Sequence, residues 1–126
     1  MSNRQNLGRW GETLAATFLK ENGYAILAQN VRTPFGEIDI IARQTKPGLD
    51  AIVFVEVKTR ANASLGKPEI SVGARKQAHL LAAVQYYMQQ SPEPGLDWRV
   101  DVIAIEQFRT NIPPVITHFE NAVTDI

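Results

Sequence analysis

The stretch Val53-Phe54-Val55-Glu56-Val57-Lys58-Thr59-Arg60, with Gly36-Glu37-Ile38-Asp39-Ile40-Ile41 upstream of it, decides how the rest of this chain is read. Both runs are rich in β-branched residues, whose stiff side chains favour extended backbone, so both read as strands. The later run is apolar on both faces, with Val53, Val55 and Val57 on one and Ile52 and Phe54 on the other. A strand covered on both sides belongs at the centre of a sheet. Yet each run carries carboxylates, and burying an ionised carboxylate costs several kcal/mol unless it is paired or meets a cation. Residues two apart share a strand face, so Glu56 and Lys58 point the same way, about 7 Å apart, as do Glu37 and Asp39. One reading makes Asp39 and Glu56 the two arms of a cation site with Lys58 beside them. The other pairs Glu56 with Lys58 at a strand end and Asp39 with Arg60.

Working outward, residues 6–22 read as a first helix capped by Asn6, with Leu7, Trp10, Gly11, Leu14 and Phe18 on one stripe and Gly23 closing it. Glu12 falls on the flank of that stripe, beside Leu19. Tyr24 to Val31 reads as a strand, and Thr33-Pro34-Phe35-Gly36 turns the chain into a second strand over about 36–43. Lys46-Pro47-Gly48 turns it into the third, about 51–59. Residues 61–70 are small, Gly- and Pro-containing, and are expected to form a mobile loop. Ser71 can cap a second helix to about Gln90, with Leu80, Leu81, Val84, Tyr87 and Met88 inward, and Pro92-Glu93-Pro94-Gly95 stops it. Trp98 to Ile105 is a fourth strand and Val115 to Phe119 a possible fifth. The expected fold class is α/β, in the order α-β-β-β-α-β(-β). The first three strands form a meander, and a right-handed crossover makes the fourth parallel to the third.

At 126 residues the chain is expected to be a single domain, 1–126. It has no cysteine, which excludes disulfides, thiolate zinc sites and a thiol nucleophile. Residues 1–20 include Arg4, Arg9, Glu12 and Lys20 and read neither as a signal peptide nor as a membrane span, so a cytoplasmic, membrane-free protein is expected. Net charge is zero, which argues against strong non-specific DNA binding, but its distribution is uneven. From Lys58 to Lys76 five basic residues face one acid; from Gln77 onward two face six. Such polarity marks either an anion-facing side or a basic loop on an ordinary solvated surface.

Phosphodiester hydrolysis needs an activated water and compensation for charge building on the phosphoryl oxygens, and hard cations with oxygen ligands supply both. Mg²⁺ takes only one or two carboxylates and keeps several waters, so Asp39 and Glu56 suffice if adjacent strands bring them together. Lys58 would then stand by the water or a phosphate oxygen. Glu37, on the same strand face as Asp39, could be a further ligand, a hydrogen-bond partner for an arginine or a residue that ends the turn, and is assigned a supporting place behind these residues. Arg9 and Arg60 suit bidentate phosphate contacts, and Lys76 or Gln77 can approach a phosphate from the second helix. Asp101 needs a partner if buried, and Arg99 on the same face offers one. His79 and His118 are poorly placed for catalysis, and Trp10 and Trp98 read first as packing residues.

These residues resemble the PD-(D/E)xK nuclease superfamily, with Asp39 as the first acid and Glu56-Val57-Lys58 as the second motif. The whole chain resembles the YraN-like family of small bacterial proteins, related to archaeal Holliday junction resolvases. The likeness rests on Gly8-Arg9-Trp10-Gly11-Glu12, Ala15, Asn30-Val31-Arg32, Gly36 to Ala42, Val53 to Arg60, Lys76, Arg99-Val100-Asp101-Val102 and Asn121-Ala122. Ile38 stands where the superfamily's name has proline. The resemblance implies a restriction-endonuclease-like three-layer fold, a mixed sheet of four or five strands flanked by helices. It implies Mg²⁺ or Mn²⁺ on Glu12, Asp39, Glu56 and the Val57 carbonyl, with Lys58 as the catalytic lysine and Lys76 at the phosphate. The expected activity is a metal-dependent endonuclease on branched or single-stranded DNA, working as a homodimer where a junction needs two centres. The alternatives are a non-catalytic module that binds nucleic acid or a repair protein, and a structural partner whose acidic half docks a basic protein.

Overall fold

A computed structural model describes residues 3–61, 73–91, 93 and 95–123. The elements are α1 (Asn3–Glu21), β1 (Tyr24–Thr33), β2 (Gly36–Lys46), β3 (Leu49–Ala61), α2 (Ala74–Gln89), β4 (Trp98–Gln107) and β5 (Val115–Val123). The five strands form one mixed sheet in the spatial order β1-β2-β3-β4-β5. β1, β2 and β3 pair antiparallel, β3 and β4 run parallel, and β4 and β5 are antiparallel again. The α/β class, the meander, the parallel crossover and the fifth strand are those the sequence leads one to expect, and β3 is the central strand.

Two cores lie on opposite faces of the sheet. Ile38, Ile41, Phe54, Val100 and Val102 pack under Leu80, Ala83 and Val84 of α2. Ile40, Val53, Val55, Ile103 and Ile105 pack under Ala15, Ala16 and Leu19 of α1. β3 alternates between them, Phe54 to one and Val53 and Val55 to the other, which is why both of its faces are apolar. The result is three layers, helix, sheet, helix.

Some boundaries differ. α1 begins at Asn3, so Asn6 lies inside the helix and does not cap it. Nothing between Asn3 and Leu7 opposes helix growth towards the N-terminus. The inward stripe of α1 is rotated from the expected one: Gly11, Ala15 and Leu19 are buried, while Trp10, Leu14 and Phe18 pack at the margin. Small residues at the centre of the stripe let the helix lie close to the sheet. Gly23 turns the chain out of α1 at φ 88°, a left-handed conformation that suits glycine. Ala61 closes β3 and is not loop; the rest of the expected mobile stretch 61–70, and the expected cap Ser71, lie outside the described residues. Gly73 holds the N-cap position of α2, with no side-chain cap. Among the described residues, no helix is long and apolar enough to cross a membrane.

Candidate functional site

The site forms where β2 leaves β3. Their ladder runs from Lys46–Leu49 to Ile40–Val55. Beyond it, the Asp39 carboxylate takes a backbone donor of β3: the Val57 N–H donates to Asp39 Oδ2 at 2.8 Å. Ile38 and Ile40 are two apart and in a regular strand would share a face. Instead Ile38 packs under α2 and Ile40 under α1, so the backbone rotates at Asp39. On the other side, Asn30 of β1 lies between the pairs Gln29–Ile40 and Val31–Ile38 and has φ 52°. The chain at Asp39 is thus held by two anchored isoleucines while its side chain points into the opening.

Glu12, Glu37 and Asp39 bring carboxylate oxygens within 4.8 Å of one another. Glu12 reaches the cluster because its neighbour Gly11 lies against β3; a Cβ on Gly11 would fall inside the Thr59 methyl. The Asn30 amide lies between two of the acids. With its nitrogen turned to them, as two acceptors require, it donates to Glu12 Oε1 at 2.6 Å and Glu37 Oε1 at 2.9 Å. Glu37 also lies 3.9 Å from the exposed Arg32 guanidinium.

The like charges register in proton affinity. Burial, then the Glu56 charge, push the Asp39 carboxyl up from 3.8 to about 7, with Glu12 and Glu37 adding to the rise and the Val57 N–H opposing it. Burial, then Glu37 and Glu56, also raise Glu12, against the pull of Arg9 one turn earlier.

Glu56 is 7% exposed on β3 and acts on Asp39, but it is not among the three converging carboxylates. Its Oε1 lies 2.5 Å from Lys76 Nζ of α2. Lys58 follows two residues later, half-buried on the strand face that carries Glu56. Among the described residues, Glu56 meets Lys76, and Arg60 meets the buried Glu106 beside it on β4. Arg60 is therefore engaged away from the carboxylates, which weakens its expected part as a phosphate clamp. Gln77 is half-buried one position after Lys76. Glu37, given a supporting place from sequence, belongs to the cluster. Asn30 was matched by resemblance but had no assigned role; its only local signal is a residue type that tolerates positive φ.

The donor set is all oxygen, with carboxylates from α1 and β2 converging beside a fourth on β3, which suits Mg²⁺ or Mn²⁺ by hardness. The elevated Asp39 proton affinity reflects burial first and the neighbouring carboxylates second. Residues 11–105, the span from α1 to β4 that builds this centre, match the family described as "Uncharacterised protein family UPF0102". The chain belongs to that family. A UPF0102 protein of Syntrophotalea carbinolica is 44% identical over 94% of this chain and 92% of its own length. One from Thermodesulfovibrio yellowstonii is 44% identical over 94% and 96%, and one from Syntrophomonas wolfei 40% identical over 91% and 98%. The UPF0102 span holds every carboxylate of the cluster together with Glu56, Lys58 and Lys76.

Proposed function

We propose that this chain is a metal-dependent endonuclease that hydrolyses phosphodiesters in branched or single-stranded DNA. The observation that carries the reading is the convergence of Glu12, Glu37 and Asp39 at the splay of β2 from β3, beside Glu56 and Lys58. Glu12, Asp39, Glu56 and the Val57 carbonyl hold Mg²⁺ or Mn²⁺, with Glu37 completing the acidic wall. The bound ion supplies activation of the attacking water and neutralises charge on the phosphoryl group.

The residues of the chain do the positioning. The Val57 N–H fixes one oxygen of Asp39 and leaves the other for the site. Gly11 keeps Glu12 close, and Asn30 holds Glu12 and Glu37 together through its two amide protons. Lys58 offers its ammonium to the attacking water or a phosphoryl oxygen. Lys76, 56% exposed, neutralises Glu56 in the resting protein and turns to the DNA backbone when substrate is bound. Arg9, exposed on α1 near Glu12, contacts a second phosphate. With DNA as substrate the protein works in the cytoplasm, and a four-way junction calls for two centres and hence a homodimer.

The Lys76–Glu56 pair favours one second reading, a module that binds nucleic acid or a repair protein without cutting, since it satisfies Glu56 without a cation. Supercoiled-plasmid nicking and branched-DNA cleavage with Mg²⁺ or Mn²⁺ separate the two. Wild type is expected to cut, and Asp39→Ala, Glu56→Ala and Lys58→Ala to lose at least about a hundred-fold in rate. Equal cutting by all four proteins identifies a contaminant and overturns the enzyme reading. DNA binding without cutting by wild type supports the module.

A further inference from the structure

A cleft of about 200 Å³ lies between the β1–β2 turn and α2, walled by Phe35, Glu37, Lys76 and His79 over Leu80 and Ala83. Two of its residues already belong to the neighbouring site: Glu37 to the carboxylate cluster and Lys76 to the pair with Glu56. A polymer whose phosphate lies at the carboxylates therefore brings the next nucleotide to this cleft. Phe35 stands at the tip of the turn, 48% exposed. An exposed phenyl ring on a loose turn would mean little, but this one is held. The Phe35 N–H donates to Thr33 Oγ1 at 3.1 Å, and that hydroxyl donates to the Gly36 carbonyl at 2.7 Å. Tyr86 of α2 meets the Phe35 ring edge-on at 6.2 Å. A second ring, His79, is exposed on α2 at the same cleft.

We propose that this cleft receives one unpaired nucleobase of the bound strand, stacked on Phe35. The proposal rests on the nuclease reading and narrows its substrate. A flat ligand with apolar faces and a polar edge fits a held aromatic ring, an apolar floor and a rim of Glu37 and Lys76. A sugar or phosphate would gain nothing from Leu80 and Ala83. A base still in a duplex keeps its edge on its complement and both faces in the stack, so entry requires a single strand, a frayed end or the open centre of a branch. The larger cavity by Gln85, Met88 and Trp98 lies towards the other end of α2 and shares no residue with the carboxylates.

The test is fluorescence anisotropy with a single-stranded oligonucleotide, in Ca²⁺ to suppress cutting, against the same strand carrying abasic sites and the same strand annealed. Wild type is expected to bind the intact single strand about ten-fold tighter than the abasic one, the scale of one stacked base. Phe35→Ala and Phe35→Leu are expected to bring that ratio within about two-fold, and Phe35→Trp to restore it; Phe35 is at a turn tip, so these proteins should fold, with circular dichroism as the check. A ratio unchanged in Phe35→Ala and Phe35→Leu overturns the base cleft. The plasmid assay keeps the two proposals apart. Cutting without base discrimination removes the cleft and leaves the nuclease, discrimination without cutting does the reverse, and no binding to any nucleic acid removes both.

Discussion

Asp39 and Asp101 occupy similar places and live in opposite surroundings. Each lies one strand in from an edge of the sheet, and each faces an asparagine with positive φ on the edge strand, Asn30 at 52° and Asn121 at 51°. Asp101 is fully buried and completely answered. Arg99 donates to both of its oxygens, His118 Nε2 lies 2.7 Å from Oδ2, and the Asn121 N–H donates to Oδ1 at 2.8 Å. Arg99 is itself fixed by Gln44 Oε1 and Tyr24 Oη. Those donors hold the Asp101 carboxyl below its ordinary value despite burial. Asp39 receives one backbone N–H and faces three more carboxylates, and its carboxyl is pushed up to about 7. Two aspartates in one sheet thus differ in whether the protein itself supplies their counter-charge. Asp101 is tied into the architecture by its donors, and Asp39 lies among the carboxylates where the cation site is proposed.

The contrast can be broken most directly at Asp101. Asp101→Ala leaves Arg99 in a largely buried position without its carboxylate, and urea denaturation is expected to show a loss of about 3–5 kcal/mol. A loss under 1 kcal/mol would mean that the network adds little and that the two sites are less different than drawn.

Asp39→Asn is expected to act with the opposite sign in metal-free protein. A folded-state pKa raised from 3.8 to about 7 means that the native state holds the proton more tightly than the unfolded chain. The native state then loses stability as pH climbs through that interval, by at most about 4 kcal/mol. The asparagine variant should therefore melt above wild type at pH 8 and level with it near pH 4, in chelator. Asp101 runs the other way, its contribution present above its unfolded pKa and lost as pH falls below. Added Mg²⁺ should raise the melting temperature of wild type and much less that of Asp39→Asn. A lower melting temperature for the variant at pH 8 would contradict the crowding of charge at this site.

A smaller effect is expected at the helix contact. Gly11→Val forces α1 off Thr59, costing about 1–3 kcal/mol by overpacking. It should also weaken the Mg²⁺-induced melting shift, because Glu12 moves with the helix. Stability lost with the shift intact would show that Glu12 does not take part. Smallest of all is the outer ion pair set: Arg43 meets Asp50 at 2.9 Å and Glu93 at 3.2 Å on the open surface. Asp50→Ala should leave the melting temperature unchanged within error, since solvent and salt screen such pairs.

How much of this was legible along the chain depends on the range of the interaction. β3 could be recognised as central from its two apolar faces, and Asp39 and Glu56 stood out as charges in apolar strands. Asp101 and Arg99 were recognisable as a pair because they share a strand face. Glu37 could be read as a further ligand from the strand face it shares with Asp39, but its convergence with Glu12 depends on how α1 settles against the end of β2. The alliance of Glu56 with Lys76 joins β3 to the crossover helix α2 and depends on how that helix packs back on the sheet. The rotation of α1 that buries Ala15 and Leu19 beside Gly11, with Leu14 and Phe18 at the margin, depends on how closely a helix can approach a sheet.

Alternation of apolar residues, turn residues and the cost of a buried charge are local matters, and they were enough to establish the strands, their order and the residues that need a counter-charge. Which charges share a partner and which are left to face one another was decided in three dimensions. Coulomb energy depends on distance and on solvent access, and neither exists until β2 parts from β3 and α1 settles on Thr59.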